Sequence, residues 1–298
     1  MKKNEIKRIL VPVDFSETSS TATTNAMILS QLLKAEVYLI CIIENNWHHY
    51  SRMIETQSSP PTKLDIENVI DKEMVLMQEK ISKTFDIVPE IHIASGNIHT
   101  EIIKFSIKNE IDLIVMGTHG VSGYNELFIG SIAQRVISLS ELPVLTMQKG
   151  CNKPRFKNIL IPIDNSLHSR EKVNLAIVFA NIFDSKLHIV GLIDSDDPQE
   201  LNKFNTKIKS VEEILSGSDL PKTTTIVHGK NLAKAAIDYA ILNKCDLIII
   251  NSGHESAIPG VFMGAFAQQL VNCSSIPVLS IQHTPSHYRT GSPGCPDF

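Results

Sequence analysis

Short apolar runs alternate with amphipathic stretches along the first half of the chain. The runs consist mostly of β-branched and aliphatic residues, which is typical of parallel strands buried on both faces, and they cover 8–13, 37–43, 88–93, 113–116 and 144–147. Between them, apolar residues recur at the three- and four-residue steps of amphipathic helices, over 18–33, 66–85, 98–109 and 132–139. This alternation predicts an α/β fold with a doubly wound parallel sheet and right-handed crossovers. Such sheets bind ligands at the carboxyl ends of their strands, where the winding direction switches.

The second half of the chain repeats the first. KRILVPVDFS at 7–16 aligns with KNILIPIDNS at 157–166, at an offset of 150 residues. DLIVMG at 112–117 aligns with DLIIIN at 246–251, now at an offset of 134 residues. Because the offset falls, the second copy is 16 residues shorter, and the extra residues of the first copy lie between positions 44 and 97. The repeat predicts two domains of the same fold.

Polar segments mark the borders of the two copies. The stretch 149–154 is short and polar, as a linker would be. The stretch 284–298 holds three prolines and two glycines with no apolar periodicity, so we expect a flexible tail there. We therefore expect domains at 1–150 and 151–283, with an insertion loop in the first, where 45–61 is polar and holds the only tryptophan.

Composition excludes several classes of protein. The 298 residues are 43% hydrophobic and 20% charged, as in globular chains, and no apolar run approaches the roughly 18 residues of a spanning helix. The first residues include an acidic side chain and only a short apolar stretch, unlike a secretory signal. We therefore expect a cytoplasmic protein with no membrane partner. A net charge of −4 and the lack of long Lys/Arg clusters argue against nucleic acid as a partner.

The cysteines and histidines predict no metal site. The five cysteines are odd in number and show no C-x-x-C spacing, so we expect reduced thiols. Cys41 and Cys245 lie in or beside apolar runs and are interpreted as small buried hydrophobes. His48 and His49 are neighbours in the insertion loop, which gives them no fixed geometry, and we predict no metal-ligating residue.

Candidate chemistry follows the fourth apolar run. MGTHG at 116–120 is followed after nine residues by Gly130 and Ser131, at the start of the next amphipathic stretch. Gly117 and Gly120 would let the backbone turn and approach a ligand closely. Gly130 and Ser131 would offer N–H groups, the positive end of a helix dipole and a hydroxyl to phosphate oxygens. A lone G-x-x-G also fits a structural turn, but the whole pattern suits a nucleotide triphosphate chain.

In their order along the chain, these motifs resemble the universal stress protein family. VPVDFS at 11–16, MGTHG, GSIAQRV at 130–136 and LPVLTMQ at 142–148 follow the family's pattern, whose ATP-binding members carry G-x-x-G-x9-G and then Ser or Thr. The resemblance covers 5–149 and 155–283, so the chain resembles a tandem member. It implies a five-stranded parallel sheet of order 3-2-1-4-5 in each copy. The fifth strands, 144–147 and 278–281, would pair by a pseudo-two-fold within the chain, rather than leaving two independent domains on a linker.

The resemblance also implies an ATP site in the first copy, with Mg²⁺ or Mn²⁺ screening the phosphates. Strand-end residues would line the adenosine part of the pocket: Pro12, Val13, Asp14, Ile42, Met116 and Gly117. The ribose and phosphates would be surrounded by His119, Gly120, Gly130 and Ser131. The Asp14 carboxylate suits hydrogen bonds from a sugar hydroxyl or an amine, although it could instead cap the next helix together with Ser16. His119 could equally be a loop histidine with no ligand contact.

The second copy departs from this pattern. Gly117, Gly120 and Ser131 are replaced by Asn251, His254 and Ala265. Gly264 and Asp164 persist as the equivalents of Gly130 and Asp14. We therefore expect ATP in the first copy only, with the second copy acting as a scaffold or as a pocket for something else.

Three functions remain open at this point. The leading hypothesis is an ATP-binding stress-response sensor or regulator that binds an adenine nucleotide and has no catalytic residues. The alternative is a slow ATP hydrolase or a nucleotide α-hydrolase-type enzyme, although the chain shows no H-I-G-H or K-M-S-K-S signature. The third is a nucleotide-independent interaction protein, against which the intact first motif argues. Beyond the intrachain pseudo-dimer, a further homo-oligomer is possible, and the sequence names no protein partner.

Overall fold

The computed structural model describes residues 6–44, 62–118, 130–148, 151, 156–165, 170, 172–253 and 263–282. The insertion loop, the tail 284–298 and most of the linker, which the sequence predicts, lie outside these described residues, as do His119, Gly120 and His254.

Strands and helices alternate in both copies, as the apolar pattern predicts. The first copy contains β1 (Arg8–Pro12), α1 (Glu17–Leu33), β2 (Glu36–Ile43), α2 (Lys63–Phe85), β3 (Glu90–Ser95), α3 (Ile98–Lys108), β4 (Leu113–Gly117), α4 (Ser131–Leu139) and β5 (Val144–Met147). The second contains β6 (Asn158–Ile163), α5 (Lys172–Phe183), β7 (Lys186–Ile193), α6 (Pro198–Ser216), β8 (Lys222–His228), α7 (Leu232–Leu242), β9 (Leu247–Asn251), α8 (Ala265–Cys273) and β10 (Val278–Ile281).

The ten strands form one sheet in the order β3-β2-β1-β4-β5-β10-β9-β6-β7-β8. Each half is parallel and has the predicted 3-2-1-4-5 order, and the halves join where β5 and β10 run antiparallel. The register pairs Val144 with Ser280, Leu145 with Leu279 and Thr146 with Val278. Leu145 and Leu279 are repeat equivalents at the 134-residue offset, so the pseudo-two-fold axis passes between them. The predicted pairing of the two fifth strands is confirmed.

Helices cover both faces of the sheet. One hydrophobic core lies under α1, α2, α5 and α6, and a second lies under α3, α4, α7 and α8. In the first copy the winding therefore reverses between β1 and β4, which opens a crevice at their carboxyl ends. Cys41 and Cys245 are buried in these cores, as predicted. Within the described residues, no helix is both long and apolar enough to cross a membrane.

The outer strands differ from the expectation of burial on both faces. Ile93 on β3 is 38% exposed and Ile226 on β8 is 41% exposed, because each strand lies at an edge of the sheet with one neighbour only. The predicted strand 88–93 also begins later, at Glu90. Val88 precedes Pro89, which has no N–H to offer a neighbouring strand.

An aspartate at the start of β4 aligns that strand with β1. Asp112 Oδ2 accepts hydrogen bonds from the backbone N–H groups of Lys7 and Arg8, at 2.8 and 3.0 Å. Asp246 repeats this arrangement in the second copy, with Lys157 N–H and Asn158 N–H. These contacts fix where β1 starts beside β4, and thereby bring the carboxyl ends of the two strands level.

Candidate functional site

One pocket lies at the carboxyl ends of β1, β2 and β4, where the winding of the first copy reverses. This strand-end pocket is lined by Pro12, Val13, Asp14, Ser19, Ile40, Ile42, Ile98, Met116, Gly117, Thr118, Gly130, Ser131, Ile132 and Ala133. Eight of the ten predicted site residues are in this set, and the other two, His119 and Gly120, lie outside the described residues. Sequence reasoning missed the remaining six.

Much of the lining of the pocket is apolar. Five of its large apolar side chains, here called the apolar slot, are Ile40, Ile42, Ile98, Met116 and Ile132. Ile40 and Ile42 are two residues apart on β2, so their side chains lie on the same face of the sheet. Strand alternation could therefore have found Ile40 from Ile42. Ile98 and Ile132 come from the first turns of α3 and α4, and no local pattern marks them as pocket residues rather than core residues.

A hydrogen-bonded turn connects β1 to α1 beside the slot. Asp14 Oδ1 accepts hydrogen bonds from Ser16 N–H and Ser16 Oγ, at 3.0 and 2.6 Å. Ser16 is the N-cap of α1, and its Oγ accepts from Ser19 N–H at 3.1 Å. The cap that the sequence offered as an alternative for Asp14 therefore belongs to Ser16, and Asp14 holds the capping residue in place. Between them, Phe15 adopts a left-handed backbone with φ of 62°, an uncommon conformation for a bulky residue.

The N-terminus of α4 forms another wall of the pocket. Gly130 is its N-cap, and the Gly130 N–H donates to Thr118 O at 2.7 Å. Having no side chain, Gly130 cannot accept the N–H groups of the first turn, whereas Ser16 and Asn97 do so for α1 and α3. The first-turn residues Ser131 to Ala133 line the pocket. A helix start of this kind suits an anionic group.

Gly117 has a structural reason to be glycine beside the close approach to a ligand that the sequence suggested. Its φ is outside the left-handed region, so the backbone conformation itself does not require glycine. A Cβ at Gly117 would lie 2.9 Å from the carbonyl carbon, Cβ and Oγ1 of Thr18. The missing side chain therefore makes room for the first turn of α1.

A histidine at the start of α3 interacts electrostatically with an arginine on α4. Burial lowers the pKa of His99, in the first turn of α3, and the positive charge of Arg135 on α4 lowers it further, while Glu44 opposes them. The lowered pKa favours the neutral form of His99. Neither residue is among the predicted site residues: His99 precedes the glycine motif, and Arg135 lies within GSIAQRV but has no predicted role there.

The second copy keeps the glycine cap of this site but differs from the first copy at other positions. Gly264 caps α8 with φ and ψ of −60° and 143°, against −59° and 144° for Gly130. At the end of β6, however, Lys207 Nζ donates to the backbone oxygen of Asp164 at 3.1 Å. Arg170, equivalent to the helical Ser20 of α1, lies in a turn before α5 begins.

Two doubly wound halves in one sheet, with a pocket where the winding reverses, define a tandem α/β protein of the Rossmann-like class. The universal stress protein family model matches the chain twice, over residues 5–148 and 155–282. The chain belongs to this family.

Relatives and solved structures agree with a tandem arrangement. The chain is 27% identical to universal stress protein MJ0531 of Methanocaldococcus jannaschii over 157 residues, which are 49% of this chain and 85% of that protein. It is 28% identical to universal stress protein MJ0577 of the same organism over 156 residues, 48% of this chain and 95% of that protein. The crystal structure of a universal stress protein from Archaeoglobus fulgidus covers 92% of this chain and 98% of its own, with a TM-score of 0.72 and 20% identity. That likeness extends the shared fold over both halves.

Proposed function

We propose that this chain is a cytoplasmic ATP-binding stress-response protein, with one adenine nucleotide in the first copy and a second copy that supports it. The observation that carries this proposal is the composition of the strand-end pocket. It combines an apolar slot, a carboxylate at Asp14 and the start of α4, where the N-cap has no side chain. These are the parts that a base, a sugar and a phosphate chain each require.

Each part of the nucleotide has a partner of matching chemistry. The flat faces of the adenine base pack against the apolar slot, and Asp14 accepts a hydrogen bond from a ribose hydroxyl. The phosphates lie at the start of α4, near the hydroxyl of Ser131. The cavity that these residues line is about 110 Å³, below the roughly 300–1,000 Å³ of most ligand clefts. The sugar and phosphates therefore extend out of the slot along α4.

Mg²⁺ or Mn²⁺ fits this proposal as a partner of the phosphates rather than of the protein. Among the described residues, no three His, Cys, Asp or Glu side chains come together in a way that could hold a metal ion. When bound, the ion would screen phosphate charge. Phosphate oxygens and water would supply most of its ligands, and the hydroxyl of Ser131 lies at the start of α4, where we propose that the phosphates bind.

We propose binding rather than rapid catalysis. The described polar side chains of the pocket are Asp14 and the hydroxyls of Ser19, Thr118 and Ser131. Asp14 is held by Ser16, and no described acid, base and nucleophile are arranged as a unit. We expect ATP turnover far below the roughly 10 per second of a typical enzyme. A steady-state phosphate-release assay on the full chain measures it, and turnover near that rate would contradict the proposal.

The nucleotide that co-purifies with the protein tests the binding directly. The full chain is purified without added nucleotide and denatured, and the released small molecules are separated by chromatography and identified by mass. We expect an adenine nucleotide, and a Ser131→Ala variant prepared in parallel should retain less of it. A preparation that releases none, and that also fails to bind added Mg-ATP, would contradict the proposed function.

A further inference from the structure

Gly117 and the first turn of α1 are in closer contact than any side chain would allow. A Cβ at position 117 would lie 2.9 Å from three atoms of Thr18, namely its carbonyl carbon, Cβ and Oγ1. Separations below 3.0 Å are essentially never seen for real Cβ atoms. Two of the three atoms cannot rotate away, because they are the backbone and the branch point of Thr18. Any residue other than glycine must therefore displace the first turn of α1.

The first turn of α1 is connected by hydrogen bonds to residues that line one side of the strand-end pocket. Ser16 donates its N–H and Oγ to Asp14 Oδ1, and it accepts the N–H of Ser19. Ser19 Oγ in turn donates to the backbone oxygen of Ser16 at 3.1 Å. Asp14 and Ser19 both line the pocket. Because these groups are joined by hydrogen bonds, a shift of the turn moves the carboxylate of Asp14 as well.

The second copy shows the alternative within the same chain. Asn251 replaces glycine at the end of β9. Arg170 lies in a turn, although its equivalent Ser20 is helical. Arg170 is the one described equivalent of the first turn of α1, and it is not helical in the copy whose strand ends in Asn251.

We propose that Gly117 is a positioning residue, which seats the first turn of α1 on β4 and thereby fixes Asp14 and Ser19 at the strand-end pocket. In the second copy, the side chain of Asn251 prevents this close contact. The glycine is thus one difference between the copy that we propose binds a ligand and the copy that does not. The predicted effect of Gly117 on ligand binding rests on the proposed function, whereas its predicted effect on the first turn of α1 does not.

Amide hydrogen exchange and calorimetry on the full chain test this role together. Gly117→Ala should speed exchange at the amides of Ser19 and Ser20 and should weaken Mg-ATP binding. We expect each effect to be at least about tenfold, because the added Cβ overpacks a rigid contact. Ser131→Ala should weaken binding without changing exchange in α1. Gly217→Ala should change neither, because no atom lies within 4 Å of a Cβ there.

The outcomes separate the possible roles of Gly117. Weaker binding in Gly117→Ala with unchanged exchange would mean that the glycine acts by contacting the ligand, and would overturn the inference. Faster exchange with unchanged affinity would overturn it as well. If the unmodified chain does not bind Mg-ATP, the proposed function fails, and the exchange comparison still decides whether Gly117 seats the helix.

A second variant keeps the inference testable if Gly117→Ala does not fold. Asn251→Gly leaves the first copy unchanged and removes the side chain at the equivalent position of the second copy. We expect slower exchange at the amides of Arg170 and Lys172, because the start of α5 could then pack on β9 as closely as α1 packs on β4. Unchanged exchange there, in a folded variant, would contradict the seating role that we assign to this position.

Discussion

Gly117 and Gly130 both line the strand-end pocket, and each is glycine for its own physical reason. Gly117 makes room for Thr18 of α1, whereas Gly130 caps α4 without a side chain that would compete for the first N–H groups. A motif written as two glycines shows neither reason, because both depend on what packs against the residue. Replacing either one therefore affects a different wall of the pocket.

A third glycine makes room for an aromatic ring in the second copy. A Cβ at Gly191 on β7 would lie 2.9 Å from the ring of Phe204 and 3.1 Å from Ile208 Cδ1. Gly191→Ala should destabilise the protein by about 1–3 kcal/mol through overpacking. Combined with Phe204→Leu, which empties the same space, it should cost less than the sum of the two single changes. Denaturant unfolding of the four proteins measures this coupling, and strictly additive losses would show that the two residues do not compete for space.

At the scale of elements, caps and edges decide where the structure departs from the apolar pattern. α2 begins at Lys63, three residues before the predicted start, because Thr62 and Asp65 form a capping box. The cap residues are polar, so a search for apolar periodicity does not include them. β3 and β8 are strands with half-exposed faces because they lie at the sheet edges, a position that only the topology reveals.

The contact between β7 and α7 should make stability depend on pH. His188 on β7 is 4% exposed, and its ring faces the neutral groups of Tyr239, Asn158 and Thr223. Burial lowers the pKa of His188 below its ordinary 6.5, and the positive charge of Lys186 lowers it further. As pH falls through 6.5, the unfolded chain takes up this proton before the folded chain does, so stability decreases toward the folded pKa.

Substitution of this histidine tests that pH dependence. His188→Tyr introduces the residue that stands at the equivalent position in the first copy, Tyr38. Urea unfolding at pH 7.5 and pH 5.5 should show a smaller loss of stability for the variant than for the unmodified chain. His99→Gln is the matched control, because His99 is the other described histidine whose pKa is lowered. Equal losses in the His188 variant and the unmodified chain would exclude a role for His188.

At the scale of the whole molecule, β5 is not an exposed edge of the sheet, because it pairs with β10. Leu145 and Leu279 are fully buried where β5 meets β10. Thr146 Oγ1 donates to Val278 O at 3.1 Å, and Gln282 Nε2 reaches Ser138 O at 3.0 Å. The second copy therefore covers an apolar strand whose backbone would otherwise invite association.

Removal of the second copy should expose that strand. A fragment of residues 1–150 should self-associate in analytical ultracentrifugation, because its β5 edge regains unpaired N–H and carbonyl groups. Leu145→Lys in the fragment should reduce the association, whereas Leu76→Lys, on the exposed side of α2, should not. A fragment that stays monomeric at high concentration would show that this edge is not an association surface.

Much of the whole-molecule arrangement follows from local signals. Strand–helix alternation and the shifted repeat predict two doubly wound halves, and the predicted strand-end residues, such as Met116 and Asp14, do converge on one pocket. Ser19, Ile98 and Ile132 were missed because crossovers bring the first turns of three helices to the same strand ends. Nothing in the local pattern separates a first-turn residue that faces a pocket from one that faces the core.

The number of nucleotides bound per chain tests the central claim most directly. Calorimetric titration of the full chain with Mg-ATP should give one site per chain, because only the first copy has both the glycine motif and Ser131. Gly120→His, which imitates His254 of the second copy, should abolish binding while far-ultraviolet circular dichroism stays unchanged. Two equivalent sites per chain, or unaltered affinity in Gly120→His, would contradict the account.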